Sequence, residues 1–110
     1  MTDNQTQDLT GAVAIAGTLR WPAELRDEMR PVLVEIAARS RQDEGCIEYK
    51  WSEDLEEAGL FHFFEIWTDQ ACLDAHLAAD YEAAFMRDHA SRVIGASAYG
   101  YEVRSRTLMA

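Results

Sequence analysis

The side chains of this 110-residue chain best suited to chemistry are Glu65, Trp67 and His76. An imidazole takes or delivers a proton near neutral pH, and an indole donates its N–H to an oxygen atom while its rings wall a pocket. Glu65 stands between Phe63 and Trp67 on one face of a β-forming run, where an unpaired carboxylate is costly. It is therefore expected either to pair with an arginine such as Arg104 or Arg106 or to stand protonated in a cleft. These residues follow the segment Asp43-Glu44-Gly45-Cys46-Ile47-Glu48-Tyr49, which sets a few polar groups among aromatics, the pattern of a ligand cleft rather than a plain core. The bland alternatives are a core indole whose N–H needs a partner and a satisfied structural histidine; on residue type alone the second is the commoner reading of His76. Cys72 and His76, four apart, would share a helical face as a metal pair or a Cys/His couple, but spacing fixes no third ligand or orienting group. No phosphate-binding glycine loop and no H-E-x-x-H motif occurs in the sequence.

Hydrophobic periodicity supplies the elements that must hold these groups. Ala12 to Leu19 is apolar at both alternating sets of positions, as in a strand buried on two faces. Pro22 fits a first helical turn, and Leu25, Met29, Val32, Leu33, Ile36, Ala37 and Ser40 then form a stripe of a helix ending near Gly45. Pro31 predicts a kink, or a loose first turn before a main helix from about Pro31. Cys46 to Glu53 alternates, with Ile47, Tyr49 and Trp51 on one face and Cys46, Glu48, Lys50 and Ser52 on the other. A polar turn over 54–59 joins it to the β-forming run Leu60 to Trp67, whose Phe61, Phe63, Glu65 and Trp67 oppose Leu60, His62, Phe64 and Ile66. Thr68 or Asp69 can cap a second helix with the stripe Ala71, Cys72, Ala75, His76, Ala79 and Ala83, bent at Asp80-Tyr81 and continuing to Ser91. After Gly95 a final strand runs to Thr107.

The order strand, helix, strand, strand, helix, strand predicts an α+β, ferredoxin-like domain over 12–107, preceded by a frayed tail over 1–11. Both helices then cover one face of an antiparallel sheet. Because the strands carry apolar side chains on both faces, a second copy of the chain is expected on the other, giving a homodimer in which His62 faces the interface.

Composition narrows the partners. Ten basic against twenty acidic residues give a formal charge of -10, which repels phosphate backbones and anionic headgroups and disfavours nucleic-acid and membrane partners. The opening MTDNQTQDLT has no basic residue and no apolar core, so it does not read as a targeting segment, and no run of eighteen apolar residues occurs. Two cysteines form no disulfide framework, and the expected compartment is the reducing cytoplasm.

The motifs Glu44-Gly45-Cys46-Ile47-x-Tyr49, Phe64-Glu65-x-Trp67 and Ala75-His76-Leu77 occur in order. With that spacing the chain resembles the antibiotic biosynthesis monooxygenase (ABM) family, dimeric α+β barrel proteins that include cofactor-free quinol monooxygenases. The likeness covers about Val13 to Val103. It implies oxidation of a small aromatic substrate, a quinol or polycyclic phenol, by dioxygen with no flavin, heme or metal, the substrate supplying the electrons. It also implies a cleft with Trp67, His76 and Glu65 as the catalytic set and Tyr49, Phe63, Tyr81 and Phe85 against the substrate. Two positions depart from the pattern: Tyr81 stands where many members carry a second histidine, and Asp80 precedes it; the first strand also lacks the asparagine of heme-degrading members, and Phe85 and Met86 stand where those place the heme-ligating histidine. Since one scaffold hosts several chemistries, an isomerase or lyase using His76 as base, and a non-catalytic ligand-binding dimer, are the alternative readings.

Overall fold

In the computed structural model, which describes residues 5–110, the first apolar run forms β1 (Thr6–Arg20). Val13, Ile15 and Leu19 pack toward the helices, while Ala12 and Ala14 pack away from them, so the strand is covered on both faces as its composition requires. The strand begins six residues before the expected boundary. Thr6, Gln7 and Asp8 pair with Thr107, Arg106 and Ser105, and the Thr6 and Thr107 hydroxyls meet at 2.9 Å. The frayed tail over 1–11 is therefore corrected for 6–11: polar side chains there make cross-strand hydrogen bonds instead of preventing pairing. Residues 1–4 lie outside the described residues.

Past Pro22, one 3-10 turn (Ala23–Leu25) leads into α1 (Arg26–Ser40). Met29, Leu33, Ile36, Ala37 and Ser40 are buried on the expected stripe. The helix starts ahead of Pro31 and runs through it, because burial of Met29 and Leu33 outweighs the one backbone donor that proline removes. It stops at Ser40, short of Gly45, and the intervening turn is tied by Asp43 N–H to the Ser40 carbonyl (3.1 Å) and Cys46 N–H to the Asp43 carbonyl (3.2 Å). Gly45 closes this turn at φ +79°, where a side chain would press on the thiol of Cys72 and the hydroxyl of Thr68.

The hairpin of β2 (Cys46–Glu53) and β3 (Leu60–Trp67) forms as read, with one departure. Cys46 pairs with Trp67 and Glu48 with Ile66, so Ile47 is an extra residue and β2 carries a bulge. Simple alternation put Cys46 and Tyr49 on opposite faces; the bulge brings both, with Trp51, to the helix side and turns Ile47 to the other. After β3 come α2 (Gln70–Leu77) and α3 (Asp80–His89), separated at Ala78-Ala79, then a 3-10 turn (Ala90–Arg92) and β4 (Gly95–Thr107). The buried positions of α2 are Leu73 and His76. The expected stripe residues Ala71 and Ala75 face solvent, since turning the larger Leu73 inward buries more apolar surface.

The sheet order is β2-β3-β1-β4 with every neighbour antiparallel, the α+β ferredoxin-like arrangement. The helix side carries two clusters, one around Trp21, Met29 and Phe61, the other around Ala37, Tyr49, Trp67 and Leu73. On the opposite side Leu9, Ala12, Ala14 and Ile66 cluster with Ile47, Phe64 and Val103, and no helical residue joins them. Tyr99 and Tyr101, paired with Ala16 and Ala14, add two exposed rings to that side.

Candidate functional site

The site is centred on His76, which α2 lays flat on Trp67 at the end of β3. Asp69 caps α2 by accepting from the Cys72 N–H at 2.8 Å, which fixes the helical phase that turns His76 inward two turns later. The imidazole and indole stack with centroids 4.6 Å apart and planes at 29°, and the Tyr49 ring meets the imidazole edge-on at 5.7 Å. Both Trp67 and His76 are buried, at 0% and 2% exposure.

The two ring nitrogens face different groups. Nδ1 lies 3.0 Å from Oδ2 of Asp43 and 2.9 Å from the Tyr81 hydroxyl, and Tyr81 donates its own proton to the same Asp43 oxygen. Nε2 points at Oε2 of Glu82, 3.7 Å away and beyond hydrogen-bond reach. Asp43 belongs to the turn after α1; Tyr81 and Glu82 open α3, and the break at Ala78-Ala79 aims them back at α2. Burial pushes the Asp43 carboxyl up, but hydrogen bonds from Tyr81 and His76 and the Coulomb attraction of His76 and Arg39 prevail, leaving it below the ordinary aspartate value. It is an acceptor, and in the neutral imidazole it selects the tautomer protonated at Nδ1. Burial pushes Glu82 above the ordinary glutamate value against the opposing pull of His76, and Glu65 and Asp43 push it further up. Its Oε2 is buried without any hydrogen-bond partner among the described residues.

Glu65 sits beside this group on β3. The arginine pairing expected for it is not made: Arg106 instead donates to Gln7 at 2.7 Å and lies 3.7 Å from Glu48. The register explains this, because Arg106 pairs with Gln7 on the far reach of β1 while Glu65 pairs with Ile15 at the sheet centre. Glu65 accepts the Trp67 indole N–H at 2.8 Å, and burial holds its pKa above the ordinary value despite that bond. Burial likewise raises the phenol of Tyr49, which accepts from the Trp51 indole at 3.2 Å, and that of Tyr81.

Of the seven residues singled out from sequence, Glu65, Trp67, His76, Tyr49 and Tyr81 come together. Phe63 does not: it is paired with Trp51 at 4.9 Å. Phe85 packs into the cluster of Trp21 and Met29, with its ring 5.5 Å from His89. Cys72 accepts from the Thr68 hydroxyl at 3.4 Å while His76 turns to Asp43, so the Cys72/His76 couple is not formed. Burial pushes the Cys46 thiol up to about 11, which disfavours its thiolate. His62, on the far face, meets Asp54 at 2.8 Å.

Asp43 and Glu82 were missed. Asp43 lies inside the cleft-like segment 43–49 but carries there no role of its own, and the helix break erases the periodicity that would align Glu82 with His76. Three openings approach the group. One of about 370 Å³ reaches His76 and Asp43 from outside, between Cys72, Ala75 and Ala79. A groove of about 550 Å³ between α1 and α3 is walled by Tyr81, Phe85, Val32 and Ile36. A third, of about 280 Å³, lies between α2 and the β1–β4 pair, over Val13 and Ile15, the cross-strand partners of Trp67 and Glu65. Carboxyls pushed up on one side of an imidazole and down on the other form a group suited to moving a proton.

Residues 12–88 match the family described as antibiotic biosynthesis monooxygenase. A candidate antibiotic biosynthesis monooxygenase of Deinococcus radiodurans superposes with a TM-score of 0.80 at 30% identity, over 89% of this chain and 98% of that one. A protein of Pseudomonas aeruginosa shares the fold with a TM-score of 0.78 at 20% identity, over 86% and 96% of the two chains. An uncharacterised protein of Synechocystis sp. is 31% identical over 83 residues, 73% of this chain. The chain spans 56% of that curated relative's length. No helix among the described residues is long and apolar enough to cross a membrane.

Proposed function

The chain belongs to the antibiotic biosynthesis monooxygenase family, and on that premise we propose that it oxidises a quinol-like or polycyclic phenolic substrate with dioxygen and no cofactor. One observation carries the reading: the His76 imidazole is held over Trp67 between an acceptor, Asp43, and a carboxyl without a partner, Glu82. Such a group withdraws the phenolic proton, and the phenolate is the form electron-rich enough to react with oxygen. The balance closes without an external reductant. A phenol loses its O–H and one ring C–H, one oxygen atom becomes a ring carbonyl, and the other leaves as water with the two hydrogens. All four electrons come from the substrate.

The far face of the sheet supports a homodimer, since Phe64, Tyr99 and Tyr101 leave apolar surface there that no helix among the described residues covers. A panel of hydroquinones and naphthols mixed anaerobically and then exposed to oxygen tests the activity. Enzyme-dependent oxygen uptake, lost in His76→Ala, is expected; no uptake, or equal uptake by the variant, overturns it. The burial of Trp67 and His76 favours a second reading, a dimer that binds a small aromatic ligand without converting it, and a copurified ligand recovered unchanged would support that one.

A further inference from the structure

We propose that Glu82 is the group that takes the proton from the substrate hydroxyl, and that His76 passes it outward to Asp43; this rests on the monooxygenase reading. His76 itself is badly placed to touch a substrate. Its side chain is 1% exposed, Trp67 covers one face of the ring, the Tyr49 edge closes another side, and Nδ1 is committed to Asp43 and Tyr81. Nε2 alone is free, and Glu82 stands in front of it.

Glu82 has what His76 lacks. Its side chain is 13% exposed, so one part reaches the outside while Oε2 is sealed and without a donor. A buried acceptor with no donor is completed by a proton of its own or by the hydroxyl of a ligand. The groups facing it are His76 from α2, Glu65 from β3, Asp43 from the turn after α1 and Tyr49 from β2. None of the four is a fixed cation, so nothing locks the Glu82 carboxyl in its ionised form, and burial sets its proton affinity above that of an ordinary glutamate. A raised proton affinity is what lets a carboxylate compete for a hydroxyl proton as general base.

The transfer is balanced. The substrate O–H breaks and its proton bonds to the outward oxygen of Glu82, Oε1; rotation of the carboxyl then turns that O–H toward Nε2, closing the 3.7 Å gap to a hydrogen-bond distance of about 2.8 Å, and hands the proton to the imidazole. The Nδ1 proton then leaves toward Asp43, whose side chain is 20% exposed and borders the outer opening. The phenolate that remains carries the negative charge. In this scheme His76 and Asp43 are positioning residues and Glu82 touches the substrate.

The experiment pairs a titration with kinetics. With Glu carboxyls labelled by carbon-13, the Glu82 resonance in the intact protein is expected to titrate above the ordinary glutamate range. It should move higher in His76→Gln, which removes the imidazole's pull, and lower in Asp43→Asn, which removes a repelling charge. Oxygen uptake should fall about 100-fold in kcat for Glu82→Gln with KM little changed, and return in part with a displaced acid limb for Glu82→Asp. A Glu82 titration at the ordinary value, or one indifferent to both replacements, overturns the relay. Full uptake by Glu82→Gln beside an active wild type overturns the role of Glu82 alone, whereas a wild type that consumes no oxygen overturns the monooxygenase reading beneath it.

Discussion

The indole of Trp67 donates to the carboxyl of Glu65 at 2.8 Å, from two residues along the same face of β3. The bond gives each of two buried polar groups its partner. Trp67→Phe removes the donor and leaves Glu65 buried with an empty acceptor, besides losing the platform under His76. A destabilisation of about 3 kcal/mol is expected from denaturant unfolding. Glu65→Leu in the same background should recover part of it, because removing both partners of a buried pair costs less than orphaning one. Strict additivity of the two changes would mean that the bond is not made.

Glu65 should also set a pH dependence. Its pKa in the fold is raised by burial above the unfolded value of 4.5, so the native state binds this proton more tightly than the unfolded chain. The corresponding stability is fully present below the unfolded value and is lost as pH climbs through the native one. Glu82 acts in the same direction and Asp43, held low, in the opposite one as pH falls. Glu65→Gln should therefore gain on the wild type as pH rises above 4.5. Unfolding curves whose difference is flat across that range would refute the assignment.

The turn before β2 predicts a contrast between two glycines of positive φ. Gly45 is tightly enclosed, with Thr68 Oγ1 only 2.6 Å from where a Cβ would stand, and Gly11 has nothing within 4 Å. Gly11→Ala should cost about 1 kcal/mol, the backbone term alone. Gly45→Ala should cost at least about 2 kcal/mol, since Cys72 and the α2 start must also shift. Equal midpoints in thermal melts would show that the enclosure of Gly45 has no energetic weight.

The uncovered sheet face is testable without a substrate. Tyr101 is 53% exposed in the single chain, so Tyr101→Asp should leave the folded chain within about 0.5 kcal/mol of the wild type. On the proposed dimer the same charge would be desolvated against apolar side chains. Sedimentation should show the wild type at twice the mass of the variant, and an unchanged mass would place the contact elsewhere.

Most of the fold was readable because burial dictates it. The two-faced β1, the α1 stripe and the β2–β3 hairpin follow from periodicity, and Trp67 with His76 follows from motif spacing. What resisted was phase. An inserted residue in β2, a helix break at Ala78-Ala79, ahead of the bend expected at Asp80-Tyr81, and the inward turn of Leu73 each shift which side chains share a face, by amounts that no repeat records. Asp43 and Glu82 escaped for this reason: each is brought to His76 by an irregularity. The tail was misread for a different one, since composition reports solubility of side chains and says little about backbone pairing at a ribbon.

The bulge at Ile47 lets Cys46 and Tyr49, an odd number of positions apart, share the helix side of the sheet. Deleting Ile47 would restore perfect alternation with Tyr49 still opposite Glu65 and Trp51 still opposite Phe63, so the far face would lose one apolar side chain while His76 kept its edge contact. A sequence one residue shorter in β2 could thus present the same interior. Relatives are thus better aligned from the strand tyrosine than from the glycine of this turn, since a difference of one residue between the two leaves the site in place.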